Sequence, residues 1–127
     1  DKERIFEIIC ATVLLRQILS ISILDYPKIN YRFGLHLAPN SHIADVSNSE
    51  YIADTIVLSA LAQDGEISCS GEVGIELEGI ESVARSEKTS LAVTALTTTP
   101  NYSIVYDISE SYRNLIKQQA ELIVSKA

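Results

Sequence analysis

The amino-acid sequence predicts an α+β fold in which a mainly antiparallel sheet carries its helices on one face. Three observations support this fold class. Apolar residues recur at helical spacing in three segments, residues 29–37 alternate between apolar and polar side chains, and clusters of Pro, Gly, Asn and Ser separate these segments. A chain of 127 residues is long enough to bury one core, so we expect a single domain over residues 1–127.

The first predicted element is a helix over residues 3–20. Its apolar positions repeat at helical spacing and form an arc too wide for solvent, so we expect a core helix. Arg16 interrupts the apolar run and no basic leader precedes it, which argues against a membrane span and a signal peptide. The absence of Met, even at position 1, indicates that the chain is a fragment of a longer protein.

The strongest strand pattern covers residues 29–37, and a second helix is predicted over residues 48–62. Ser47 and Glu50 have the spacing of a capping box, which satisfies backbone amides at a helix start. We expect the strand to be central in the sheet. Because a helix flanks it on either side in the chain, both helices are expected on the same sheet face, as in split ferredoxin-like folds.

Four further segments follow the second helix. Residues 66–69 read as a short strand, and residues 72–88 as a short helix followed by an irregular link. Residues 91–96 and 102–106 are rich in β-branched and aromatic side chains, which predicts two strands joined as a hairpin.

A last helix is predicted after Ser109, which suits a helix N-cap. Its apolar stripe stands beside polar positions, as at a contact that must also tolerate water before assembly. We expect this stripe to be the protein interface, in a homodimer or against the rest of the parent chain. The predicted interface residues are Tyr112, Leu115, Ile116 and Ile123.

Charge and cysteine content exclude some functions. Lys and Arg number 10 against 17 Asp and Glu, a net charge of −7, and no basic run occurs, so we expect no nucleic-acid partner. Cys10 and Cys69 form no CxxC pair, which favours a reducing, cytoplasmic setting. We interpret both as small core residues, with a disulfide or a reactive thiol as the alternatives.

Three motifs in order resemble the second half of a class III nucleotidyl cyclase domain. They are GLHLAP at residues 34–39, DTIVLSAL at 54–61 and DGEISCS at 64–70. In that family a Gly-x-His-x-Gly-Pro strand precedes a helix with Val-Asn-x-Ala-x-Arg-Leu, and Gly-x-Ile-x-Val-Ser follows. The resemblance covers residues 3–77 and implies a ferredoxin-like, cyclase-like fold whose members pair through that fold.

The departures from the family pattern bear on catalysis. The family's Asn and Arg in the helix bind the nucleotide in the transition state, and here Val57 and Leu61 stand at those positions. Neither side chain donates a hydrogen bond. Ala53 and Ala38 replace two glycines of the pattern. The family's two metal-binding aspartates would precede residue 1, so the resemblance implies no catalytic residue in this chain.

Two acids remain candidate nucleotide-binding residues. Glu50 aligns with a family position that helps to recognise the base, although a capping-box acid is the simpler interpretation. Asp54 lies four residues further along the same helical face, where the two carboxylates could do acid–base work or serve as solvated helix acids.

His36, His42 and Asp45 lie close enough in the sequence to form a metal site. A strand histidine and a solvated loop histidine explain these residues without a ligand, so we expect no metal and no cofactor.

Three functions remain open from the sequence. The first is a non-catalytic cyclase-like module for association or regulation within a larger intracellular or membrane-attached signalling protein. The second is half of a working cyclase whose metal site lies upstream or on a partner. The third is an unrelated α+β protein-binding domain, since fold analogy alone does not establish function.

Overall fold

The structure is a computed structural model that describes residues 2–22, 31–37, 50–90 and 101–126. These residues form four helices and one four-stranded mixed sheet, which confirms the α+β class. In chain order the elements are α1 (Lys2–Ser22), β1 (Phe33–Leu35), α2 (Glu50–Ala60), β2 (Ile67–Ser70), α3 (Gly71–Leu77), β3 (Val83–Thr89), β4 (Asn101–Ile108) and α4 (Glu110–Lys126).

The sheet has the strand order β1-β2-β4-β3. Strand β1 pairs with β2 in parallel, with Leu35 opposite Cys69, whereas β4 pairs antiparallel with both β2 and β3. The prediction of a mainly antiparallel sheet therefore holds for two of the three described strand pairs. Within the described sheet the prediction that the first strand is central was wrong, because β1 pairs there with β2 alone and is an edge strand.

The main hydrophobic core lies on one face of the sheet, under α1, α3 and α4. Helix α1 contributes Ile5, Ile9 and Val13 at intervals of four residues, the spacing that keeps side chains on one helical face. The sheet contributes alternate positions of its strands, because successive strand residues point to opposite faces. These core positions in β2 and β4 include Ile67, Cys69 and Val105.

Helix α2 covers the opposite face of the sheet. Its Leu58 is fully buried in a second, smaller cluster with Ala62, Tyr102 and Ile104. In β4 Ile104 immediately precedes Val105 of the main core, so the two clusters lie on different faces. The prediction that the first two helices share one face was therefore wrong. Periodicity within a helix shows which of its sides is buried, but not which face of the sheet buries that side.

Gly34 brings α2 directly onto β1. A Cβ atom at position 34 would lie 3.0 Å from the backbone nitrogen of Ser59 and closer still to the carbonyl oxygen of Thr55. Real side chains do not tolerate such approaches to backbone atoms. The glycine of the first motif is thus explained by the packing of helix on strand.

Helix α1 is less buried than its apolar sequence predicts. Ile8 and Leu15 remain 45% and 48% exposed, on a side that the core does not cover. Arg16, which interrupts the apolar run, donates a hydrogen bond to the carbonyl oxygen of Gly65. In the described part of the chain, α1 is the one helix that by length and composition could cross a membrane, a criterion that core helices and signal sequences also meet.

The second half of the chain differs from prediction at β3. The short helix expected at the start of residues 72–88 is present as α3, but the expected link is a strand, and it forms the antiparallel pair with β4. The strand predicted at residues 91–96 lies outside the described residues. Its predicted partner, residues 102–106, falls within β4 as expected.

Candidate functional site

Candidate site residues lie in three parts of the structure: on the surface of α2, around α3, and on the outer side of α4. Helix α2 and the turn after it hold the two positions at which the cyclase pattern has Asn and Arg. Val57 is 37% exposed on that helix, and Leu61, just beyond its end, packs against the smaller hydrophobic cluster. At neither position does a side chain donate a hydrogen bond to a phosphate or a ribose.

Of the two candidate acids in α2, only Asp54 has a described side chain. Asp54 is half-buried on the helix, whereas Glu50 begins the helix and its side chain lies outside the described residues. His42 and Asp45 also lie outside the described residues. Among the residues that are described, no three His, Cys, Asp or Glu side chains are grouped so that they could hold a metal ion.

His36 lies at the end of β1, beside the end of β2. Its Nδ1 atom is 3.9 Å from Oε2 of Glu72, and its side chain is almost fully buried. In β2, the hydroxyls of Ser68 and Ser70 are buried and form no hydrogen bond within the described part of the chain. The sequence indicated His36 as a strand residue, but the approach of Glu72 depends on α3 starting directly after β2.

A cavity of about 410 Å³ lies between α3 and the paired strands β3 and β4. Glu72, Glu78 and Glu87 border it, together with Ser103. Arg85 donates hydrogen bonds to Glu87 Oε1 over 3.2 Å and to Ser103 Oγ over 3.0 Å.

The charges of this cavity decide what it could accept. Three carboxylates against one neighbouring guanidinium, which is already engaged, give a negative potential that disfavours the phosphates of a nucleotide. The cavity was not predicted, because residues 72–88 were expected to form a short helix followed by an irregular link rather than a strand. The acidic residues were visible in the sequence, but their convergence with β3 was not.

Helix α4 divides the predicted interface residues between two environments. Ile116 is 5% exposed and belongs to the main core, so it cannot contact a partner in the folded chain. Tyr112 makes an edge-to-face contact with Phe6 of α1, with ring centroids 4.9 Å apart, and is still 41% exposed. Leu115 and Ile123 are 53% and 46% exposed.

One exposed residue of α4 was not singled out from the sequence. Leu122 is 56% exposed and lies seven residues after Leu115, two helical turns along the same side. The spacing was readable in the sequence. Because apolar residues occupy a wide arc of this helix, the sequence alone does not show which of them face the core and which face solvent.

The two cysteines are free thiols. Cys69 is fully buried in the main core, and desolvation raises the pKa of its thiol to about 12, an effect that the nearby Arg85 charge opposes. Partial burial also raises the pKa of Cys10. Low thiolate content is typical of structural cysteines, in agreement with the first interpretation of these residues.

Comparisons of the chain with protein-family models, with curated proteins and with solved structures each found no match.

Proposed function

We propose that this chain is a non-catalytic, cyclase-like module that works by associating with another protein surface in a larger signalling protein. The carrying observation is the placement of Val57 and Leu61. In the family that the motifs resemble, these two positions supply the polar groups that hold the nucleotide, and here Leu61 packs against a hydrophobic cluster.

The order of the elements supports the resemblance at a coarse level. The chain runs β1, α2, β2, which is the order in which the family places its three motifs, and β1 and β2 are parallel neighbours. The glycine of the first motif packs against α2, the helix that carries the second motif. A resemblance of this kind concerns fold, and function rests on the site residues.

The electrostatics around α3 also favour a non-catalytic role. A nucleoside triphosphate needs cations or hydrogen-bond donors to neutralise its phosphates. Enzymes that transfer phosphoryl groups owe most of their rate acceleration to such groups. The cavity beside α3 instead offers Glu72, Glu78 and Glu87. A nucleotide bound there would meet net repulsion.

The exposed apolar residues of α4 support association. Tyr112, Leu115, Leu122 and Ile123 are all more than 40% exposed on one helix of a chain that also packs Ile116 inward. Exposed apolar groups that lie together mark contact surfaces more often than scattered ones do. The partner is a second copy or the rest of the parent protein.

A nucleotide assay tests this proposal. The 127-residue chain, incubated with ATP or GTP and Mn²⁺, is expected to give no cyclic product above a protein-free blank, while an active class III cyclase in parallel shows that the assay works. The melting temperature is expected to be unchanged by nucleotide, because a ligand stabilises a fold only by binding it.

The opposite result would show that this chain carries a working nucleotide site by itself. Cyclic product from this chain that disappears in Glu50→Gln or Asp54→Asn would refute the non-catalytic proposal. The Ile56→Gln variant is the matched control, because Ile56 is 62% exposed on the same helix and stands where the family pattern has an apolar residue.

A further inference from the structure

We draw no further inference here: the strongest candidate, the acidic cavity between α3 and the paired strands β3 and β4, belongs to the site already described, and beyond its three carboxylates nothing in the described part of the chain shows what would bind there.

Discussion

Replacing Gly34 by Ala tests whether α2 is seated on β1 as closely as the structure indicates. The added Cβ atom would lie 3.0 Å from the backbone nitrogen of Ser59 and closer to the carbonyl oxygen of Thr55. These are backbone atoms, so relief requires that α2 move away from the sheet. Leu58, a fully buried residue of that helix, would then lose part of its packing against the sheet.

The expected size of the effect follows from two opposing contributions. Overpacking of a core contact costs roughly 1–3 kcal/mol. The lower entropy of the unfolded chain with Ala in place of Gly offsets about 0.4–1 kcal/mol of that. Gly34 has no positive φ angle, so backbone strain adds nothing. We expect a net loss of about 1–2 kcal/mol in the free energy of unfolding.

Urea denaturation followed by circular dichroism measures this loss. With a slope of roughly 1.5 kcal/mol per molar urea, the midpoint is expected to fall by about 1 M. Gly74→Ala is the control, because its Cβ would lie 3.0 Å from a rotatable group, Ser103 Oγ, within helix α3, where Ala is favoured over Gly. Equal midpoints for the Gly34→Ala, Gly74→Ala and wild-type chains would refute the close approach of α2 to β1.

Two further predictions separate core from surface. Ile116→Asp is expected to destabilise the fold by more than about 3 kcal/mol, because it buries a carboxylate. Leu115→Asp is expected to change stability by less than about 1 kcal/mol at concentrations where the chain is monomeric, because Leu115 is exposed. Equal melting temperatures for the two variants would contradict the placement of Ile116 in the core and Leu115 at the surface. For the thiols, iodoacetamide at pH 8 is expected to label Cys10 in the folded chain and Cys69 only on unfolding. Labelling of Cys69 in the folded chain at the rate of Cys10 would show that the Cys69 thiol is accessible. Because burial raises the pKa of Cys69 from 9.0 to about 12, the folded state holds the thiol proton more tightly than the unfolded state. The free energy of unfolding is therefore expected to fall as the pH rises across that interval.

The helices were predictable because each carries a periodic apolar pattern. The observed α1 and α2 lie within a few residues of the predicted spans, and α4 begins directly after the predicted cap, Ser109. The short helix α3 was also expected. The α+β class follows from these patterns together with the alternation around Phe33 and Leu35.

Strand β3 was not predictable by the same means. It lies at an edge of the described sheet and contains Arg85, Glu87 and Lys88, with Val83 as its one buried residue. Charged side chains are common on edge strands, where they discourage pairing with other proteins, and they erase the alternation that identifies a strand. The acidic cavity beside α3 was therefore not predicted either, since that cavity exists only when β3 and β4 pair.

The placement of α2 could not be read from its residues either. Its Leu58 shows that one side of the helix is buried, but not which face of the sheet buries it. The expectation of one shared face came from analogy to ferredoxin-like sheets. In the structure Gly34 and the alternate residues Tyr102 and Ile104 of β4 determine the answer, because they leave room and apolar surface on the other side.

The packing of Leu61 connects the fold with the proposed loss of catalysis. Leu61 contacts a cluster in which Leu58, Ala62 and Ile104 are at least 97% buried. An Arg at this position, as in the cyclase pattern, would cover that cluster only with the aliphatic stem of its side chain. Leucine adds apolar contact at the same place, worth roughly 25 cal/mol per Å² of buried surface. A module retained for association gains stability from this exchange and loses nothing that association requires, whereas an enzyme would lose the cation that neutralises its transition state.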